Sequence, residues 1–130
     1  MKTKNTFLII AGVLNLLTFF VHLIGGQKDL VNPMINTSLS IAKSSQLVGA
    51  WNMVTITLLA TSLVLILAGF GKKYSTNREL IKFVGYLNFA FCLPFIIASF
   101  YYNSFAPQWI LFLPIGIFTI IGLQKIKKYA

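Results

Sequence analysis

Apolar residues in this chain fall into four long runs, separated by shorter polar stretches. The runs cover approximately residues 6–26, 46–70, 80–102 and 107–123. Each is close to the roughly 20 residues that an α-helix needs to cross about 30 Å of hydrocarbon. The runs must be helical in a bilayer, because lipid offers no partner for unpaired backbone groups and four segments cannot close a barrel. The pattern therefore predicts an all-α bundle of four transmembrane helices, with residues 1–130 forming one integral membrane domain.

The outer stretch between the first two runs, residues 27–45, is longer than a helical hairpin needs. Asn32 followed by Pro33 is typical of a helix start, with an N-cap residue and a proline at the first helical position. Apolar residues then recur at helical spacing, namely Ile35, Leu39 and Ala42. We therefore expect a short amphipathic helix in this first outer loop, on the outer face of the bundle.

The other connections are short. Gly71 is placed to end the second helix in the left-handed conformation. Thr76 and Glu79 have the spacing of a capping box that would begin the third helix. The loop at 103–106 is so short that the third and fourth helices are expected to form a tight hairpin.

The composition agrees with a membrane protein and excludes a soluble domain. Hydrophobic residues make up 57% of the chain and charged residues only 10%, against about 25% charged in ordinary globular proteins. The net charge of +9 would suggest a nucleic-acid partner if the basic residues formed a patch on a soluble fold. Here they lie between and outside the apolar runs, so no nucleic-acid partner is expected.

The distribution of the basic residues predicts the orientation of the helices. Nine of the eleven fall on one side of the predicted membrane: Lys2, Lys4, Lys72, Lys73, Arg78, Lys82, Lys125, Lys127 and Lys128. The other side receives only Lys28 and Lys43. Because cytoplasmic loops carry an excess of Lys and Arg, both ends of the chain are expected on the cytoplasmic side. The first run is longer than the apolar core of a signal peptide, about 7–15 residues, so it is expected to remain as a span in a bacterial cytoplasmic (inner) membrane.

Each predicted helix has one face of small and polar residues. The four sets are Ala11, Asn15, Thr18, His22 and Gly25; Asn52, Thr55, Ser62 and Gly69; Gly85, Asn88, Cys92, Ser99 and Tyr102; and Gln108, Thr119 and Gly122. Close approach and interhelical hydrogen bonds drive helix association in lipid. We therefore expect these faces to pack inward.

A polar and aromatic group near the outer surface is the candidate ligand-binding site: His22, Trp51, Asn52, Tyr102 and Gln108. His22 is the one ionisable side chain well inside a predicted span, and such residues are functional candidates. Three interpretations remain open. The imidazole can join the first two helices by donating to Asn52 or to a carbonyl, the group can line a pocket for a small ligand, or the histidine can ligate a metal or haem.

No cofactor, metal site or catalytic group is expected. Cys92 is the one cysteine, and one His without a second His, carboxylate or Cys makes a poor metal site. The two acidic residues, Asp29 and Glu79, fall in predicted loops, which disfavours carboxylate chemistry within the membrane. An enzymatic role with His22 as general base is the weakest hypothesis, because the sequence identifies no group to assist it.

The first hypothesis is that the chain is a small accessory or interaction subunit that binds other membrane proteins. A second stripe of small residues on the second helix would provide the contact surface for another copy or a larger complex: Ala50, Thr57, Thr61 and Ala68. The alternative is binding or transport of a small lipid-like or aromatic ligand in an outward-facing pocket around His22. In either case the lipid bilayer is an expected partner.

Overall fold

The computed structural model describes residues 4–71 and 77–128, without the side chains of Lys127 and Lys128. In these two ranges it contains four helices long and apolar enough to cross a membrane. The first is continuous from Thr6 to Ile35 and consists of α1 (Thr6–Phe20), a π-helical segment (Val21–Val31) and α2 (Asn32–Ile35). The others are α3 (Ile41–Phe70), α4 (Arg78–Tyr101) and α5 (Trp109–Lys128). The prediction of an all-helical chain with four candidate membrane spans is confirmed.

The first outer loop differs from the prediction. Asn32 does not begin a separate helix, because Val31 before it is already helical and the Asn32 N–H donates to the carbonyl of Gln27. Pro33 removes one backbone donor without interrupting the helix. The α3 helix then begins at Ile41, where the Ser40 hydroxyl caps it by accepting from the Lys43 N–H at 3.5 Å. Within residues 27–45, only residues 36–40 lie outside the helices. The structure therefore does not show the expected separate amphipathic helix.

Three further predictions concern the ends of the helices and the loops between them. Gly71 ends α3 with extended angles, φ −135° and ψ 131°, so the left-handed conformation predicted for it is wrong. Asn77 caps α4 by accepting from the Leu80 N–H at 3.2 Å, and Thr76 of the predicted capping box lies outside the described residues. The two acidic residues lie within helices, Asp29 in the π-helical segment and Glu79 in the first turn of α4.

The α1 helix lies between α3 and α5, and α4 packs against α5. Asn5, just before α1, ties three of these elements together. Its N–H donates to the carbonyl of Gly69 at 2.8 Å, and its Nδ2 donates to the carbonyl of Gly122 at 2.8 Å. Its Oδ1 accepts from the Leu8 N–H at 3.3 Å as the N-cap of α1. The start of α1 is thereby fixed to the ends of both α3 and α5.

Glycines bring the helix backbones on both sides of α1 into contact. A Cβ built on Gly12 would lie 2.8 Å from the backbone nitrogen of Ile66 and 3.1 Å from the carbonyl oxygen of Ser62. On Gly69 it would lie 2.9 Å from the nitrogen of Ile9, and on Gly122 it would lie 3.2 Å from the nitrogen of Leu8. Such close approach is how helices associate in a bilayer, where lipid provides no hydrophobic contrast.

The predicted inward faces are largely confirmed. Eleven of their members are buried: Ala11, Asn15, Thr18, Thr55, Ser62, Gly69, Gly85, Asn88, Cys92, Thr119 and Gly122. Asn52 and Tyr102 are exposed instead. Large apolar side chains cover the outer surface, as expected for contact with lipid, for example Ile56 at 67% and Phe83 at 60% exposure.

The second stripe on α3 is not a free surface along its whole length. Ala68 is buried in the core, and the Thr61 hydroxyl accepts from Asn15 Nδ2 at 2.8 Å. Of the four residues, only Ala50 is exposed, and Thr57 and Thr61 are partly buried. The neighbouring helices therefore cover more of the α3 surface than its predicted inward face alone.

The first helix and α3 extend beyond α5 at one end of the bundle. The 30 residues of α3 span roughly 45 Å and the 20 residues of α5 roughly 30 Å at the α-helical rise of about 1.5 Å. Trp109, the first residue of α5, packs in a cluster with Phe19 and Leu58, so residues 21–50 lie beyond it. We call residues 21–50 the projecting hairpin, and we call the opposite end, which carries Lys4, Arg78, Lys82 and Lys125, the basic end.

The glycine contacts predict a difference between two matched substitutions. Gly12→Ala should lower the free energy of unfolding by about 1–3 kcal/mol, because the new methyl group meets backbone that cannot move aside. Gly49→Ala should be neutral or stabilising by up to about 1 kcal/mol, since nothing lies within 4 Å of a Cβ at Gly49 and alanine is the better helix former. Unfolding of the reconstituted protein in a denaturing detergent measures both. Equal effects would show that backbone contact at Gly12 does not hold the bundle together.

Candidate functional site

His22 lies in the π-helical segment, just beyond the end of α1. The N–H of Asn32 reaches back five residues to the carbonyl of Gln27 at the end of this segment. Gly25 and Gly26 lie in its middle, and glycine has a weak preference for the α-helix. Because π-helical turns are rare and are found frequently at functional sites, the backbone around His22 supports it as a candidate site residue.

The imidazole of His22 stacks on the indole of Trp51 from α3. The ring centroids are 3.8 Å apart and the ring planes differ by 12°. His22 Nε2 also lies 3.4 Å from the backbone carbonyl of Trp51, to which an Nε2–H would donate. The Thr55 hydroxyl donates to the same carbonyl oxygen at 3.0 Å. At this separation the two rings fill the space between them, so no ligand fits between His22 and Trp51.

Gly26 makes room for the Trp51 ring. A Cβ on Gly26 would overlap the indole, whereas nothing lies within 4 Å of a Cβ on Gly25. The sequence pattern placed Gly25 on the inward face by assuming α-helical spacing throughout the first helix. A π-helix takes one more residue in each hydrogen-bonded turn, so Gly26 occupies the inward position predicted for Gly25. The adjacent glycines were the only sequence signal that could have indicated this shift.

The other three predicted site residues lie in environments that differ from that of the His22–Trp51 pair. Asn52 is exposed, and its Nδ2 donates to the carbonyl of Val48 at 2.9 Å. Tyr102 is 73% exposed and packs edge-to-face on Tyr101 with ring centroids 4.9 Å apart. Gln108 is partly buried just before α5. The structure therefore joins His22 directly to Trp51 but shows no such contact for the remaining three.

Two polar atoms of the predicted site are buried without a hydrogen-bond partner among the described residues. They are Trp51 Nε1, a donor, and Gln108 Oε1, an acceptor. An unsatisfied buried polar group typically costs about 1–3 kcal/mol. Both groups would gain from a water molecule or a polar ligand that reached them.

The polar interior of the bundle forms a separate set of contacts. Asn15 donates to Thr61, Asn88 Nδ2 donates to the carbonyl of Val84 at 2.9 Å, and the Cys92 thiol lies 3.4 Å from the carbonyl of Asn88. The side-chain carbonyl oxygens of both asparagines are buried and lack a partner within the described part of the chain. Of these three contacts, the one between Asn15 and Thr61 joins two helices, α1 and α3, and the other two lie within α4. In the described ranges, no group of three His, Cys, Asp or Glu residues is placed to hold a metal ion.

Comparisons with known proteins give no relative for this chain: no protein-family model, curated protein or solved structure matches it. Inferences about function therefore rest on the geometry alone.

The fit of Trp51 against Gly26 predicts the effect of two neighbouring substitutions on tryptophan fluorescence. In a Trp109→Phe background, Trp51 is the remaining tryptophan, and its stacked imidazole is expected to quench it. Gly26→Ala should displace the indole and raise the emission as much as His22→Leu does. Gly25→Ala should leave the emission unchanged, because the added methyl group meets open space. Equal emission from all four proteins would contradict the stacked geometry.

Proposed function

We propose that this chain is a small accessory or interaction subunit of a larger assembly in a bacterial cytoplasmic membrane. It spans the bilayer with its basic end in the cytoplasm, as the excess of Lys and Arg at that end favours. The observation that carries the proposal is the projecting hairpin. The 30 residues of α3 span roughly 45 Å, and the part before Leu47 precedes the apolar stretch that matches the hydrocarbon core. A helical hairpin of this length is more than four spans need to cross the membrane.

The surface of the projecting hairpin supports a protein contact. Ile41 is 90% exposed and Leu30 is 51% exposed, beside polar residues such as Lys43 and Gln46. Val31 is fully buried, so the hairpin has packing of its own and presents these apolar side chains on an ordered support. Exposed apolar side chains mark interaction sites where they form a contiguous patch, and we infer that Ile41 and Leu30 contribute to such a patch. The surface suits the outer, partly apolar face of another membrane protein or of a second copy of this chain.

The proposed contact surface lies on the projecting hairpin and not along the whole stripe of small residues on α3. The stripe of small residues on α3 was the first candidate surface, but Thr61 and Ala68 are used in contacts within the chain. Ala50, at the base of the hairpin, is the member of that stripe that remains exposed.

Two matched charge substitutions test the hairpin as an interface. In mild detergent, wild-type protein should migrate on blue-native electrophoresis as a complex larger than a monomer. Ile41→Asp should break that complex, because it places a carboxylate in an apolar contact. Ser104→Asp adds the same charge at an exposed position in the loop after α4, outside the hairpin, and should leave the complex intact. A monomer under all gentle conditions, with no co-purifying protein, would refute the proposal.

A second function, the binding of a small lipid-like or aromatic ligand near His22, is favoured by one observation. Trp51 Nε1 and Gln108 Oε1 are buried and unpartnered among the described residues. A ligand acceptor that reached Trp51 Nε1, or a ligand donor that reached Gln108 Oε1, would satisfy that group. The ligand would lie at the edge of the His22–Trp51 stack, since the stack itself is closed. Asn52 and Tyr102 would then contribute only at the exposed rim of the site.

Trp51→Phe separates this ligand role from a structural role of the stack. The substitution keeps an aromatic ring against His22 and removes the Nε1–H donor together with part of the indole. If a ligand is held there, small molecules that co-purify with the wild type should be lost from Trp51→Phe and from His22→Ala, as measured by mass spectrometry. If the two variants and the wild type carry the same molecules in the same amounts, the His22–Trp51 pair serves only to join the first helix to α3.

A further inference from the structure

A cleft of about 270 Å³ opens between α4 and α5 at the basic end of the bundle. Seven residues line it: Arg78, Glu79, Lys82, Tyr86, Ile120, Leu123 and Gln124. The first four come from the start of α4 and the other three from the last part of α5. This cleft shares no residue with the His22 region or with the projecting hairpin.

The lining changes from charged to apolar with depth. Arg78 and Tyr86 are eight residues apart, or about 12 Å along the axis of α4 at the α-helical rise. The helices are antiparallel, and Gly85 of α4 packs against Ile120 of α5, so Ile120 lies at the deeper, apolar level. The headgroup region of one leaflet is roughly 5–8 Å thick. The cleft therefore runs from the level of lipid phosphates to the upper part of the acyl chains.

The charged level of the cleft suits a phosphate group. Arg78 can bind phosphate oxygens with its planar, forked guanidinium, and Lys82 adds a second positive charge. Lys82 lies 3.6 Å from the carboxylate of Glu79. Their side chains are 48% and 84% exposed, and an exposed pair of this kind holds its partners only weakly. Lys82 is therefore free to turn toward an anion, although Glu79 opposes the same anion.

The uncharged lining points to a lipid rather than to a free ion. Tyr86 is 57% exposed and, with Gln124, offers hydrogen-bond donors at the interface, where tyrosine is favoured in membrane proteins. Ile120 lies level with Tyr86, because Gly85 packs against it, and Leu123 lies about one turn nearer the basic end. Both are partly buried apolar residues that form the apolar floor of the cleft. A free phosphate would leave that apolar floor unused, whereas a phospholipid places glycerol and acyl carbons on it.

We propose that this cleft binds an anionic phospholipid, with the lipid phosphate held by Arg78 and Lys82 and the glycerol region held over Ile120 and Leu123. The source is the leaflet adjacent to the basic end. Basic pockets between transmembrane helices are known to bind anionic headgroups. The proposal is independent of the accessory function and of any ligand near His22.

Native mass spectrometry of the full chain, released from nanodiscs that contain phosphatidylcholine and phosphatidylglycerol, tests the proposal. Wild-type protein should retain phosphatidylglycerol in preference to phosphatidylcholine. The double variant Arg78→Gln, Lys82→Gln should lose about tenfold or more of this retention, as expected for two basic side chains near a charged lipid surface. The control Lys28→Gln, Lys43→Gln removes the same charge from the projecting hairpin and should retain the lipid like the wild type.

Two further arms keep the outcome decisive. Glu79→Gln should increase retention of phosphatidylglycerol severalfold, because it removes the opposing carboxylate and releases Lys82. Misfolding of a variant would lower retention, so it cannot account for such a gain. Added inorganic phosphate should not displace the lipid. Equal retention of both lipids by the wild type, equal losses from the two double variants, or displacement by inorganic phosphate would each overturn the proposal.

Discussion

Backbone contact on both sides of α1 holds this bundle together, because lipid gives apolar side chains no reason to prefer each other over acyl chains. Gly12 and Gly69 bring α1 and α3 together, Gly122 does the same for α5, and Asn5 fastens all three at one end. The hydrogen bond between Asn15 and Thr61 becomes possible at this separation. The α4 helix then joins through α5, where Gly85 and Gly116 again allow close packing against Ile120 and Phe89. The protein is therefore organised around its first helix.

The sequence predicted the helices and most of their inward faces well, since hydropathy and the spacing of small residues follow directly from the demands of a bilayer. It failed where local geometry departed from a regular α-helix. Asn32 and Pro33 have the pattern of a helix start, but the turns before them are already π-helical. The Asn32 N–H donates to the carbonyl of Gln27, so Asn32 continues a helix and does not cap a new one. The π-helical spacing also exchanged the roles of Gly25 and Gly26. Apart from the adjacent glycines, neither effect has a signature in a single sequence.

The candidate site was predicted in part, for similar reasons. His22 and Trp51 lie at matching depths on antiparallel helices, and their contact follows from that depth. Asn52 follows Trp51 directly, and neighbouring residues on a helix differ by about 100° in direction, so both cannot face His22. The cleft at the basic end could not be predicted from the sequence, because its basic residues have the same pattern as residues that only set the orientation of the helices. A charge that sets topology can also line a binding surface, and sequence position does not separate the two roles.

The unequal lengths of the helices have a consequence for the surrounding bilayer. The apolar part of α3, from Leu47 to Phe70, is roughly 36 Å long, whereas α5 from Trp109 to Ile126 is roughly 27 Å. One flank of the protein therefore matches a thicker hydrocarbon layer than the other. Such hydrophobic mismatch is relieved by tilting the protein or by deforming the lipid nearby, at a modest cost for each ångström. A bundle with this wedge-like profile would rest most easily at a boundary between thin and thick membrane, so its surroundings can influence where in the bilayer it collects.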